Sequence, residues 1–234
     1  MKKLGVVTIG QSPRPDILTD MIPYWRPSIQ ILETGALDGW EMEKISSLDR
    51  QPGDRLLATR LRNGTTVVLP EKHIHTELRR CVKQLEDADS DFVLFLCTGK
   101  MPDKLQSRVP MLFPQKILQG FVRAVFPQKR ILILTPESEQ MAHVHTEWNQ
   151  YGLDAAVLPL SPFSPVTDPD ARGEGSHSWS DVLSCITADP ASVVVMDCMS
   201  YSNEMKLKIA RETGKMVILA RTLVGRVAGE LFEL

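Results

Sequence analysis

The feature that most constrains this chain is a pair of stretches of the same form. One runs Asp91-Phe92-Val93-Leu94-Phe95-Leu96-Cys97-Thr98-Gly99, the other Ser192-Val193-Val194-Val195-Met196-Asp197-Cys198-Met199-Ser200-Tyr201. Each is a short run of branched and aromatic apolar residues that reaches a cysteine and then turns to small polar residues. An apolar run this short, with few charges, reads as a strand buried on both faces, as in a parallel sheet. The cysteine then falls where the strand stops, and in open parallel sheets that carboxyl end is where ligands bind. Two cysteines so placed, far apart in the sequence, predict two related halves facing one site.

The rest of the chain fills in those halves. Residues 4–9 read as a strand, and 10–16 as a polar loop whose Pro15 suits the first position of a helix, where its missing N–H is not needed. A second strand is predicted over 28–33, followed by the glycine-rich link 34–39. Asn63-Gly64 between two β-prone runs over 56–69 is a hairpin signal. Ile74, Leu78, Val82 and Leu85 at helical spacing predict a helix that feeds the first cysteine strand. A short extended piece over 108–113 and a helix over 115–126 follow. A fresh start then appears at 130–137, where a buried strand, a threonine and a proline repeat the form of 4–13. Further strands are predicted over 154–160 and 215–220, and helices over 179–186, 204–213 (stopped by Gly214) and 223–234. Residues 161–176, rich in Ser, Pro and Gly, form the longest predicted loop and can cover a site. Alternating strands and helices make this an α/β fold with mostly parallel sheets. The expected division is a lobe over 1–120 and a second over 121–220, with a closing helix over 221–234 that returns to the first.

Composition excludes several function classes. The 234 residues are 43% apolar and 24% charged, with a net charge of -2, so no electrostatic reason points to nucleic acid or an anionic membrane. No apolar run is long enough to span a bilayer, and the residues after Val7 end the first apolar stretch too soon for a signal peptide. A cytoplasmic protein with its four cysteines reduced is the expectation.

Chemistry centres on the cysteines. A thiol serves as base or nucleophile only as thiolate; a helix N-terminus lowers its pKa, and apolar burial raises it. The strand end is the position that points a thiol toward such an N-terminus, and Thr98 and Gly99 can offer N–H groups and a hydroxyl to a carboxylate. Two thiols on opposite sides of one carbon allow one to remove a proton while the other delivers it, with neither metal nor cofactor. The alternative for any free cysteine is core filler, the reading expected for Cys81 and Cys185 within helical patterns.

The residues Thr8-Ile9-Gly10-Gln11-Ser12-Pro13-Arg14, Gly35-Ala36-Leu37-Asp38-Gly39, Cys97-Thr98-Gly99, Asp197-Cys198 and the ending that starts at Leu223 resemble the AroM family, within the superfamily of aspartate, glutamate and hydantoin racemases. The resemblance implies two pseudo-symmetric α/β lobes, an inter-lobe site and cofactor-independent chemistry on a small carboxylate, with Cys97 and Cys198 as the acid/base pair. Thr98 stands where those racemases carry Asn, and Met199 and Ser200 where they carry Thr and His. Gln11, Ser12 and Arg14 replace an Asp-Ser pair in the first loop. Arg14 can hold a carboxylate in a bidentate fork; its alternative is a solvated surface charge. The expected ligand contacts are therefore Gln11, Ser12, Arg14, Thr98, Gly99, Thr135, Met199 and Ser200. Capping of the next helix is an equal alternative for Thr135.

Other members of the wider superfamily keep one cysteine and decarboxylate or isomerise. A one-thiol lyase or hydrolase and a non-catalytic metabolite binder therefore stand as rival readings. His73 with His75 and His143 with His145 lie near predicted helix starts, where alternate residues do not share a face, so no metal site is expected. No phosphate-binding glycine motif appears. The oligomeric state, monomer or homodimer, stays open.

Overall fold

Strand β1 (Lys3–Thr8) has five buried residues in a row after Lys3 and lies inside a sheet, flanked by β2 (Gln30–Gly35) and β5 (Phe92–Phe95). The computed structural model describes residues 1–102, 105–163, 166 and 178–232. It divides into two units, Met1–Gln115 with Gly225–Leu234, and Lys116–Val224.

In the first unit the main sheet has the order β2-β1-β5-β6, with β6 at Met111–Leu112, and all its pairs are parallel. Helix α1 (Pro15–Leu18) opens with Pro15, as its fixed φ favours. A short α2 (Met42–Ser46) precedes the separate antiparallel hairpin β3 (Leu56–Arg60) and β4 (Thr66–Pro70). Gly64 turns that hairpin at φ 86, a left-handed conformation in which a side chain is strained. Helix α3 (His75–Asp87) buries Leu78, Cys81, Val82 and Leu85 against the sheet residues Val7, Val93 and Phe95. Truncating one of those leucines to alanine costs about 2–5 kcal/mol in such a setting. The start of α4 (Pro114–Val125) closes this unit.

In the second unit, β7 (Arg130–Thr135), β8 (Asp154–Pro159), β9 (Val193–Met196) and β10 (Met216–Leu219) form an all-parallel sheet, ordered β10-β9-β7-β8. Helices α5 (Met141–Gln150), α6 (Trp179–Ala188) and α7 (Asn203–Thr213) belong to this unit, and Gly214 ends α7 in the left-handed conformation at φ 67. Trp179, Val182 and Ile186 on α6 and Met205 and Ile209 on α7 meet β9 residues in its core. Helix α8 (Ala220–Glu230) leaves β10 directly, and its later part belongs to the first unit. There Gly225 and Gly229 admit Tyr24: a Cβ on Gly229 would stand 2.6 Å from the Tyr24 carbonyl oxygen.

Taken from the opposite edge, the second sheet runs β8-β7-β9-β10. Counted within each unit, both main sheets therefore have the strand order 2-1-3-4. The sequence pattern of two similar halves is thus matched in topology, and the first unit differs by the inserted hairpin.

Two expectations need correction or restriction. Cys185 is exposed, not core filler. The buried face of α6 is set by Trp179, Val182 and Ile186, and Cys185 falls outside that stripe. Of the loop predicted over 161–176, residues 164–165 and 167–176 lie outside the described residues.

Candidate functional site

An order of 2-1-3-4 places the first and third strands of each unit side by side while their connections leave in opposite directions. That is a topological switch point, the crevice where α/β sheets bind ligands. In the first unit it lies between β1 and β5, and in the second between β7 and β9. Cys97 follows β5, and Cys198 follows β9, so each thiol stands at the carboxyl end of one of these strands.

At the first unit's carboxyl edge, Thr8 pairs with Gly35 and the Leu96 N–H donates to the Val7 carbonyl at 2.8 Å. The loop after β1 is tied to its neighbours by the residues predicted to contact a ligand. Gln11 donates from Nε2 to the carbonyls of Leu37 (3.3 Å) and Trp40 (3.0 Å), and its Oε1 accepts the Arg62 N–H at 2.9 Å. Ser12 donates its N–H to Asp38 Oδ1 at 2.8 Å and its hydroxyl to Oδ2 at 2.7 Å. The Ser12 carbonyl accepts from Arg62 Nε (2.9 Å) and Nη2 (2.6 Å).

Arg14 is only 4% exposed, which corrects the alternative of a solvated surface charge. Its guanidinium does grip a carboxylate in a fork, that of Asp16, at 2.9 and 2.8 Å, while Nη1 reaches Thr8 Oγ1 at 3.4 Å. The Arg14 N–H donates to Glu33 Oε2 at 2.7 Å. Asp38, Glu33 and Arg62 are therefore structural members of this loop cluster that sequence reasoning did not single out. Asp38 was visible only as a member of the glycine-rich link and of the 35–39 stretch that carries the family resemblance, with no role attached to it.

Cys97 is 8% exposed, and the Gly99 N–H donates to its sulfur at 3.2 Å. A Cβ at position 99 would stand 2.9 Å from Leu57 Cδ2, so glycine lets the backbone approach the sulfur beside β3. A Cβ on Gly10 would likewise collide with the Thr59 side chain and stand 2.6 Å from the Arg60 carbonyl oxygen. The hairpin therefore packs directly on both switch-point loops. Among the described residues the next helix in the chain after Cys97 is α4, beyond β6, so no helix starts directly from the strand that carries this thiol. A backbone N–H two residues on takes that place.

The second unit repeats the detail. The Ser200 N–H donates to Cys198 Sγ at 3.4 Å, and α7 begins only at Asn203. Burial pushes the Cys198 thiol pKa up, with Asp197 adding to that, while the Ser200 donors and Arg221 pull the other way. Met199 is 1% exposed, so its side chain belongs to the core. Its carbonyl accepts from Arg221 Nε at 2.8 Å, and the Ser200 carbonyl from Nη2 at 2.9 Å.

Asp197 Oδ2 accepts the Trp148 indole N–H at 2.7 Å, and the buried Tyr201 hydroxyl donates to the Leu160 carbonyl at 2.7 Å. Thr135 donates to Gln140 Oε1 at 3.1 Å, and that oxygen also accepts the Glu137 N–H as part of a capping box. The Thr135 hydroxyl thus braces the Gln140 side chain, which closes a cap whose N-cap residue is Glu137. Arg221 and Trp148 were not anticipated; a buried arginine runs against the usual burial of residue types.

His73 donates to the Asp49 carbonyl and His75 contacts Glu71. Among the described residues no group of three His, Cys, Asp or Glu side chains is placed to hold a metal, and no helix is long and apolar enough to cross a membrane.

These sheet orders, with a cysteine at each switch point, define an α/β fold of the aspartate/glutamate racemase type. Solved structures match over nearly the whole chain. Allantoin racemase from Klebsiella pneumoniae is similar at TM-score 0.61 and 12% identity, covering 99% of this chain and 87% of that one. Maleate isomerase from Pseudomonas putida S16 is similar at TM-score 0.62 and 14% identity, covering 100% and 93%. An aspartate racemase homologue from Pyrococcus horikoshii is similar at TM-score 0.61 and 14% identity, covering 100% of both chains. No protein of curated function matches the chain. The family model described as AroM protein matches residues 4–232, and the chain belongs to the AroM family.

Proposed function

We propose that this protein is a cofactor-independent isomerase or racemase acting on a small carboxylate, with Cys97 and Cys198 as its acid/base pair. The observation that carries this is the repetition, at equivalent switch points, of a thiol whose sulfur accepts the N–H two residues further on. An N–H aimed at sulfur favours the thiolate, the form that removes a proton. Racemases and an isomerase among proteins of the same fold support the reaction class.

In the proposed step one thiolate takes the proton from the carbon next to the carboxylate, and the electron pair passes to the carbonyl side as an enolate. The other thiol then gives a proton to the opposite face. One sulfur gains a proton and the other loses one, so charge and atoms balance without a co-reactant. Burial raises the Cys198 thiol pKa, which suits Cys198 to the proton-donor role in the proposed step. Thr98, Gly99 and Ser200 are the proposed ligand contacts on these two loops. Gln11, Ser12, Arg14, Thr135 and Met199 act behind them by holding the loops in place.

The raised Cys198 thiol pKa also supports a second reading. A one-thiol lyase would use Cys198 only as a proton donor to a carbanion left by decarboxylation. The test is proton exchange in deuterium oxide, followed by NMR across a panel of small chiral acids, maleate and α-substituted malonates. Wild-type protein should exchange or isomerise at least one acid, and Cys97→Ser and Cys198→Ser should each abolish two-sided exchange. Decarboxylation that survives Cys97→Ser would favour the lyase. Full exchange in both variants would remove the thiols from the mechanism.

A further inference from the structure

Arg221 is buried to 2% exposure, with its guanidinium on the two carbonyls that follow Cys198. Taking a guanidinium out of water costs several kcal/mol, and an apolar side chain would fill the same volume without that cost. What the guanidinium supplies follows from peptide geometry. The Met199 carbonyl and the Ser200 N–H belong to one planar peptide and point in opposite directions. Arg221 Nε draws the carbonyl to 2.8 Å, and the N–H of that same peptide faces Cys198 Sγ at 3.4 Å. The next peptide repeats the pattern: Arg221 Nη2 holds the Ser200 carbonyl, and the Tyr201 N–H turns back to the Cys198 carbonyl at 3.4 Å.

We infer that Arg221 is the positioning residue of the second thiol, fixing the peptide that presents its N–H to the Cys198 sulfur and placing a permanent positive charge behind the loop. The inference deepens the acid/base reading, on which it rests, by making the two thiols unequal. After β10 the second unit carries Ala220 and Arg221; after β6 the first unit carries Phe113 and Pro114, so the pseudo-symmetric position has no guanidinium to offer. Besides Arg221, Asp197 and Ser200 bear on the Cys198 thiol: Asp197, held by Trp148, raises its pKa, and the Ser200 backbone and side-chain hydrogen bonds lower it. The nearby Tyr201 phenol is buried with its pKa raised, and Asp197 and Glu137 add to that. Arg221 is the cation opposing Asp197.

The test is alkylation of the folded protein by iodoacetamide across a pH series, with modification at Cys198 and Cys97 quantified separately by peptide mass spectrometry. In Arg221→Gln the Cys198 profile should move to higher pH, so that its rate near pH 8 falls about three- to tenfold, with the Cys97 profile unchanged. Arg221→Lys keeps the charge but cannot span both carbonyls, and should fall between the two. Superimposed Cys198 profiles, or equal displacement of Cys97, would overturn the inference. Core Cys81 reports folding. If it reacts in the Gln variant, the Lys variant decides, a displaced Cys198 profile supporting the inference and an unmoved one overturning it. The readout needs no turnover, so a displaced profile in a protein without exchange activity would keep this inference and sink the acid/base reading.

Discussion

Asp38 holds Ser12 twice, through the backbone N–H at 2.8 Å and through the hydroxyl at 2.7 Å, and its Oδ2 also accepts the Gly35 N–H at 2.7 Å. One carboxylate therefore fastens the loop after β1 to the loop after β2. Arg62, 3.7 Å from that carboxylate, adds the hairpin to the same knot. Replacing Asp38 with alanine leaves two backbone donors without their acceptor, and hydrogen bonds to a charged group are worth about 1.5–3 kcal/mol each. Asp38→Ala should lower unfolding stability in urea by about 2–4 kcal/mol. Asp38→Asn should be intermediate, because an amide offers one acceptor oxygen where the carboxylate offers two. An unchanged urea midpoint in Asp38→Ala would show that the knot contributes nothing to stability.

The hairpin makes a paired prediction. Thr59 is 1% exposed, and its hydroxyl has no hydrogen-bond partner among the described residues. A buried hydroxyl left in that state costs about 1–3 kcal/mol, and an apolar group of the same shape removes the cost. Thr59→Val should leave the melting temperature unchanged or raise it. Gly10→Ala should do the reverse, since its methyl meets Thr59 and the Arg60 carbonyl and forces the hairpin outward at about 1–3 kcal/mol. Thermal unfolding of both variants checks the pair, and a destabilised Thr59→Val would mean that the hydroxyl holds a partner of its own.

Local signals made the framework legible. Buried strands, the Asn63-Gly64 turn, the α3 stripe and the Gly214 stop each depend on neighbours within a few residues. The halves were legible because the cysteine strands repeat. What escaped was long-range. Ser12 meets Asp38, and Arg62 meets Ser12, only after β1, β2 and the hairpin are in register, and nothing local encodes that. Arg221 was invisible because a charged residue at a helix start reads as solvated, and its carbonyl partners lie on a loop distant in sequence. Cys185 departs from its expected place because the Trp179-Val182-Ile186 stripe fixes the phase of α6, and a cysteine fits either side of a helix.

The closing helix supplies a steric prediction. Gly229 faces the Tyr24 carbonyl so closely that a methyl would stand 2.6 Å from the oxygen, while Trp25 donates its indole N–H to the Gly225 carbonyl at 2.9 Å. In an open helix Gly→Ala stabilises by about 1 kcal/mol. Here Gly229→Ala should destabilise by about 1–3 kcal/mol, because backbone must move to admit the methyl. Urea unfolding gives the sign, and a gain in stability would mean that α8 leaves room for a methyl beside Tyr24.

Alkaline pH should weaken the fold through its buried acids. Burial raises the pKa of Cys81 and Cys198, and raises that of Tyr201 well above the usual tyrosine value. In the unfolded chain the same groups ionise at their ordinary values, about 8.5 for a thiol and about 10 for a phenol. Above those values the unfolded state has lost protons that the folded state still binds, so the equilibrium shifts toward unfolding as pH rises. Stability from these groups is complete below the ordinary thiol pKa and drains away as pH climbs toward their raised folded-state values. The urea midpoint should therefore fall steadily from about pH 7.5 to about pH 10.5, the span over which thiols and then the phenol ionise in the unfolded chain. Cys81→Ala should flatten the thiol part of that slope, since removing this core thiol abolishes its linkage while Tyr201 still contributes at the upper end. A midpoint that holds level across the range in wild-type protein would mean that these groups titrate alike in both states, and that neither the Cys198 loop nor the α3 core is as dry as their packing implies.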